Sequence, residues 1–294
     1  MSIQPQNVIL KTAVFTGLAL IAFAANSVLC RLALGTGAID AASFTAIRLL
    51  SGAVTLLLIL IVRREKSLLP RKGSWISSIM LFLYAITFSY AYITLDTGTG
   101  ALILFGAVQI SMILISVFSG NRLHTSEWLG MALAFAGFVY LVLPGVSTPS
   151  PLGFSLMMVS GIAWGIYTLR GRGSENPLRD TAHNFLRTIP LIAILVTLAI
   201  KQTQFSFEGI MYAAISGGLA SGVGYSIWYA ALRGLSATQA AVIQLLVPVI
   251  AALGGILFVS EVITSRLAVS ALMILGGILL VILGRYVFIY RKAQ

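Results

Sequence analysis

Long uninterrupted apolar runs constrain this chain more than any other feature. A bilayer core about 30 Å thick takes about 20 helical residues at about 1.5 Å each. Ten stretches meet that length: 12–32, 41–62, 74–95, 98–119, 127–144, 152–170, 182–200, 208–232, 236–258 and 264–286. The runs are continuous rather than alternating, which argues for helices and against a β-barrel. Charged residues make up only 9% of the 294 and apolar residues 59%. A soluble domain carries about 25% charged residues, so this chain could not cover a soluble surface. Disorder is excluded because it needs low hydrophobicity. The expectation is an all-α membrane protein of ten transmembrane helices.

The cations orient the spans. With the N-terminus in the cytoplasm, inner segments hold Lys11, Arg63, Arg64, Lys66, Arg71, Lys72, Arg122, Arg170, Arg172, Arg179, Arg233, Arg285, Arg291 and Lys292. Outer segments hold Arg31, Lys201 and Arg266, while Arg48 and Arg187 lie within spans. Cytoplasmic loops of membrane proteins are enriched in Lys and Arg, so both termini are expected inside. The net charge of +11 is then topogenic and does not point to nucleic acid. A polar start, with only Lys11 before the first run, predicts no cleavable signal peptide. One cysteine, Cys30, excludes an internal disulfide framework.

The chain also resembles itself. At an offset of 139 residues, Arg31 falls on Arg170 and Arg48 on Arg187. At 140, AFAGFVYLVL (134–143) falls on ILGGILLVIL (274–283), with Gly137 on Gly277. The expected units are therefore 1–146 and 147–294, with five spans each. An odd number of spans makes the second unit enter from the opposite side. Inverted repeats are a recurrent architecture of secondary transporters, whose substrate sites lie near the midplane between the halves.

Four motifs carry a family likeness. AFAANSVLCRLAL and its mate GIAWGIYTLRG close on an arginine, and FTAIRLLSG and HNFLRTIPL open the next span with one. WYAALRGLSATQAAVIQLLVPVIAAL (228–253) joins the eighth span to the ninth, and Glu261 follows in LFVSEVITSRLAVSALMILGGILLVI (257–282). Over nearly its whole length the chain resembles the drug/metabolite transporter superfamily in its ten-span EamA-type form, and within it the YddG-type amino-acid exporters. That resemblance implies export of neutral, often aromatic, amino acids across a bacterial inner membrane. It also implies a central cavity lined by spans 1, 3, 4, 6, 8 and 9. The halves depart from each other: Glu261 is matched by Asn121, and Pro248 by Val108.

The spans themselves limit the chemistry. Asp40, Glu65, Asp96, Glu127, Glu175, Asp180, Glu208 and Glu261 all fall in loops or span ends, as do His124 and His183. A proton relay normally uses buried acids or histidines, so carboxylate-driven antiport and cationic drugs are disfavoured. No HExxH or GxSxG occurs, so neither catalysis nor a bound metal or cofactor is expected. A channel, or an exporter of other small metabolites or drugs, stays open as an alternative. The chain is expected to work as a monomer in the lipid bilayer.

Aromatic residues at helical spacing are the cavity candidates: Trp164 and Tyr167 with Ser160, Tyr225 and Trp228 with Tyr229, Gly218 and Gly222, and Tyr84 with Phe88. An apolar pocket with a few polar groups suits a small amphipathic ligand, although span aromatics also form interfacial belts, as expected of Trp75 and Trp128. Asn26, Gln109 and Gln244 lie inside spans 1, 4 and 9, where they could bind substrate or tie helices together. Pro248 frees the carbonyl of Gln244; with Pro190 and Gly52 it is a candidate hinge. Arg48 and Arg187 read as snorkelling or helix-capping cations, or as gate contacts.

Overall fold

The computed structural model of the protein describes residues 4–63, 74–120, 125–144, 148–171, 174–235 and 237–292. Asn121, His124 and the cations at 64, 66, 71, 72, 122 and 172 lie outside the described residues. The helices are α1 (Gln4–Gly35), α2 (Ala41–Val62), α3 (Trp75–Ala91), α4 (Thr97–Phe118), α5 (Thr125–Val142), α6 (Pro151–Gly171), α7 (Pro177–Arg187), α8 (Ile189–Ala199), α9 (Phe207–Ile215), α10 (Gly224–Leu232), α11 (Ala237–Gln244), α12 (Val247–Val259) and α13 (Ser265–Lys292). A π-helical segment, Ser216–Val223, joins α9 to α10.

Among the described residues, nine helical stretches are long and apolar enough to cross a membrane. The tenth, α3, is apolar but only 17 residues long. It stops short of the expected 74–95: Tyr92 is its C-cap, with its N–H donating to Phe88 O at 3.2 Å. Tyr92 is fully buried and its hydroxyl donates to Thr97 O at 3.3 Å.

The distribution of polarity is that of a membrane protein. Large apolar side chains such as Phe118, Leu198 and Leu257 stand 86%, 80% and 75% exposed. Arg48, Asn26, Gln109, Thr45 and Glu127 are buried. In water this arrangement would be strongly unfavourable; in lipid it keeps polar groups inside and leaves apolar ones outside.

Three of the expected spans are broken. The seventh divides at Thr188, whose hydroxyl donates to Phe185 O at 2.6 Å. Pro190 follows and lacks the N–H that an unbroken helix would need. The ninth divides at Leu245–Leu246, just ahead of Pro248, and the last turn tightens through Leu245 N–H to Val242 O at 3.1 Å. In the eighth, the wider π segment, with its i→i+5 hydrogen bonds, brings Ser216 and Ser221 towards one side. Both hydroxyls donate to Asn26 Oδ1, at 2.8 and 3.5 Å.

Close packing relies on small residues. A Cβ at Gly217 would overlap Arg48 O and Ser51 Oγ, so the π segment lies directly on α2. At Gly52 helix α2 is unbroken, and the space a Cβ would fill holds Phe185 at 2.6 Å. Gly130 of α5 and Gly277 of α13 each abut the other's carbonyl oxygen.

Candidate functional site

A cavity of about 850 Å³ runs into the bundle. All nine residues singled out for a binding role line it: Asn26, Tyr84, Phe88, Gln109, Trp164, Tyr167, Tyr225, Trp228 and Gln244. They come from α1, α3, α4, α6, α10 and α11, matching the six spans implied by the family resemblance. Helix α7 is an addition: Asp180, Thr181 and Asn184 line the cavity too. Their i, i+1, i+4 spacing puts them on one helix face, a signal present in NPLRDTAHNFLR.

The wall is an aromatic box centred on Trp164. Its ring lies 4.7 Å from Tyr84, 5.2 Å from Tyr167 and 5.4 Å from Tyr225, the last two stacked. Tyr84 touches Phe88 at 5.5 Å, and Phe23 meets Trp228 edge-on at 5.7 Å. Tyr229 shares a hydrogen bond with Thr181 at 2.9 Å. Trp75 and Trp128 are instead exposed at 55% and 57%, as belt residues should be.

Some expected faces differ. Ser160 shares the helix face of Trp164, yet its hydroxyl donates to Tyr84 O at 3.0 Å and does not reach the cavity. Gly218 and Gly222 face Thr55 of α2 and not the cavity, because the π segment resets the helical phase ahead of Tyr225. Asn26 ties α1 to the π segment through both serines, so its carbonyl oxygen is already engaged. Gln109 differs: its Nε2 is buried and has no hydrogen-bond partner among the described residues.

Arg48 departs most from expectation. It neither snorkels nor caps a neighbouring helix, but is 1% exposed in the bundle interior. Its Nη2 donates to Tyr84 Oη at 2.7 Å, and its guanidinium lies 5.2 Å from the Tyr84 ring and 4.7 Å from the Phe88 ring. Two aromatic faces and a phenol oxygen replace the water it would otherwise need. Arg187 is half-buried at the end of α7, and its Nη1 lacks a partner among the described residues. His183, one turn earlier, is buried, and its Nε2 likewise has no partner there.

The two ends of the cavity are unlike. At one, exposed Arg170 and Gly171 and half-buried Ser174, Pro177 and Asp180 form a rim. Towards the other the bundle is packed shut. There Cys30 and Tyr92 are fully buried, and beyond them Glu261 accepts from Thr97 N–H at 2.9 Å and from Thr97 Oγ1 at 3.0 Å. Arg31 reaches the same carboxylate through Nε at 3.3 Å, and Asp96 through Nη2 at 3.4 Å. Arg31 Nη1 also donates to the carbonyls of Tyr92 and Ile93, both at 3.3 Å. Glu261 sits at a span end as expected, engaged and only 13% exposed. It caps the first turn of α4, where a negative charge meets unpaired N–H groups.

On the same end, Asp40 ties two loops. It caps α2 through Ser43 N–H at 2.9 Å and accepts from Gln204 N–H at 3.0 Å. Burial raises its carboxyl pKa, but the hydrogen bonds from Ser43, Gln204 and Ala42 outweigh that and leave it below the ordinary value.

A helical bundle with an apolar coat, a polar interior and a cavity rimmed at one end defines a multi-pass membrane protein of the transporter class. The EamA-like transporter family matches residues 151–283. The chain is 49% identical over 275 residues to the uncharacterized protein PA1977 of Pseudomonas aeruginosa, covering 94% of this chain and 96% of that one. It is 23% identical over 249 residues to the uncharacterized transporter YoaV of Bacillus subtilis, with 80% and 85% covered. A probable amino-acid metabolite efflux pump of Escherichia coli is 23% identical over 232 residues, with 70% and 77% covered. A solved crystal structure superposes with a TM-score of 0.61 at 18% identity, covering 90% of this chain and 98% of that one. That last likeness shows the fold alone. The chain belongs to the EamA-like transporters of the drug/metabolite transporter superfamily.

Proposed function

We propose that this protein exports small neutral metabolites, chiefly neutral and aromatic amino acids, across a bacterial inner membrane by alternating access. The observation that carries the reading is the aromatic-walled cavity of about 850 Å³ that reaches the surface at the Arg170–Asp180 rim and is packed shut beneath Arg31 and Glu261. The excess of cations in the segments at that end supports a cytoplasmic rim. This conformation therefore faces inward, ready to load substrate from the cell. The related probable amino-acid metabolite efflux pump agrees with the direction and the substrate class.

In this reading ten spans form two inverted five-span units, 1–146 and 147–294, and a monomer suffices. Trp164, Tyr167, Tyr84, Phe88, Tyr225, Trp228, Asn26, Gln109 and Gln244 surround the substrate. Rocking of one half against the other closes the rim and parts the Arg31–Glu261 cluster. The breaks beside Pro190 and Pro248 supply the hinges. Gly52 serves by letting α2 slide against α7, while Arg48 and Arg187 border the moving elements.

The test is counterflow of labelled L-phenylalanine, L-leucine and L-alanine in proteoliposomes of the purified protein. Exchange is expected without a pH gradient, since every acid among the described residues lies in a loop, at a helix cap or in a first turn. Absence of exchange for the whole amino-acid panel overturns the substrate class. Reporter fusions after residue 68 and at residue 294 should read cytoplasm, and one near residue 148 periplasm. A periplasmic C-terminus overturns the span count.

A further inference from the structure

Arg48 carries a permanent charge inside the bundle, and among the described residues no carboxylate pairs with it. A charge at that position in a membrane protein ordinarily finds an opposite charge or lines a functional path. Nη1 of Arg48 is buried and unpartnered, while Nη2 is spent on the phenol oxygen of Tyr84 at 2.7 Å. Tyr84 in turn lines the cavity. Its oxygen accepts from a guanidinium, which makes its own proton a stronger donor, and among the described residues that proton has no acceptor. A second unpartnered donor, Gln109 Nε2, belongs to the same cavity. Among the described residues the carboxylate lining the cavity, Asp180, is at the rim and already accepts from Ser174 at 2.6 Å.

We propose that the Arg48–Tyr84 pair is the carboxylate-recognising element of the cavity, so that transported compounds must carry a carboxylate beside an apolar side chain. Tyr84 donates to the carboxylate, and Arg48 acts through Tyr84 as a positioning residue that supplies the missing half of an ion pair. The apolar side chain then lies in the box of Trp164, Tyr167 and Tyr225. Amines and cationic drugs are rejected, since their charge would face Arg48 across one ring. The inference deepens the export reading and rests on its assignment of the cavity to substrate.

Quenching of tryptophan fluorescence in the purified protein tests it with four probes: L-phenylalanine, 3-phenylpropionate, L-phenylalaninamide and phenethylamine. The two carboxylates are expected to bind at least tenfold more tightly than the two compounds without one. In Tyr84→Phe, which removes one oxygen and keeps the ring, that preference should collapse to less than threefold while phenethylamine binding stays unchanged. Arg48→Lys should narrow the preference and make it depend on pH through the lysine, which a packing role would not do. Should Arg48→Lys fail to fold, Tyr84→Phe decides alone. Equal binding of amine and acid by the wild type, or an undiminished preference in Tyr84→Phe, overturns the proposal. If 3-phenylpropionate binds as described but no amino acid is exchanged in proteoliposomes, this inference stands and the amino-acid reading fails. Exchange of amino acids with no carboxylate preference has the opposite meaning.

Discussion

Glu261→Gln should unlatch the packed end of the cavity. The carboxylate accepts from Thr97 N–H at 2.9 Å, Thr97 Oγ1 at 3.0 Å and Arg31 Nε at 3.3 Å, in a site where the two side chains are only 13% and 20% exposed. The amide keeps the volume but offers one neutral acceptor, and it turns an NH₂ group towards donors. Hydrogen bonds to a charged group contribute about 1.5–3 kcal/mol, and a carboxylate at a helix N-terminus about 0.3–1 kcal/mol. Partial retention by the amide leaves a net loss of about 2 kcal/mol, which shifts the closed-to-open ratio at that end roughly 30-fold. The assay uses a cysteine placed on the cavity wall, Phe105→Cys, in a Cys30→Ala background. In the proposed topology, a membrane-impermeant maleimide applied to whole cells approaches from the Arg31 side. Labelling should quicken by roughly 30-fold in Glu261→Gln, and Arg31→Gln should act in the same direction without adding fully. An unchanged labelling rate in a well-folded Glu261→Gln protein refutes the claim that this cluster holds the end shut.

Other expectations are as concrete. Trp164→Ala removes three ring contacts, each worth about 0.5–1.5 kcal/mol; it should therefore weaken substrate binding at least tenfold and lower the melting temperature, whereas Trp164→Phe restores most of the stability in thermal melts. Gly217→Ala drives a Cβ into Arg48 O and should destabilise the protein by about 3 kcal/mol, while Gly276→Ala, with open space around it, should stay within about 0.5 kcal/mol in the same melts. Asp40 has a depressed folded pKa, so its contribution is present above the unfolded value of about 3.9 and is lost as pH falls through the folded value. Asp40→Asn should accordingly reduce stability near neutrality and flatten the acid limb of a stability–pH curve, and an unchanged acid limb would count against the loop tie.

Apolar length alone determined the helical membrane class, because a bilayer leaves backbone groups no partner outside the segment and demands about 20 apolar residues per crossing. Helical spacing also assembled the cavity wall: Trp164, Tyr167, Tyr84 and Phe88 share faces that local geometry already sets. What local geometry could not supply were the partners. Arg31 and Glu261 both fell at the same expected end, but their pairing joins residues 230 apart and depends on how α1, α4 and α12 pack. The π segment, and with it the pair of hydrogen bonds from Ser216 and Ser221 to Asn26, has no periodicity signature that separates it from an α-helix over eight residues. Arg48 is the sharpest case. Its position in the sequence allowed a snorkelling cation, and only the rings of Tyr84 and Phe88, brought across from α3, made a dry interior tolerable for it. Solvation by neighbours distant in the chain is a property of the tertiary structure, since the energy of a buried charge is set by what surrounds it and not by its own residue type.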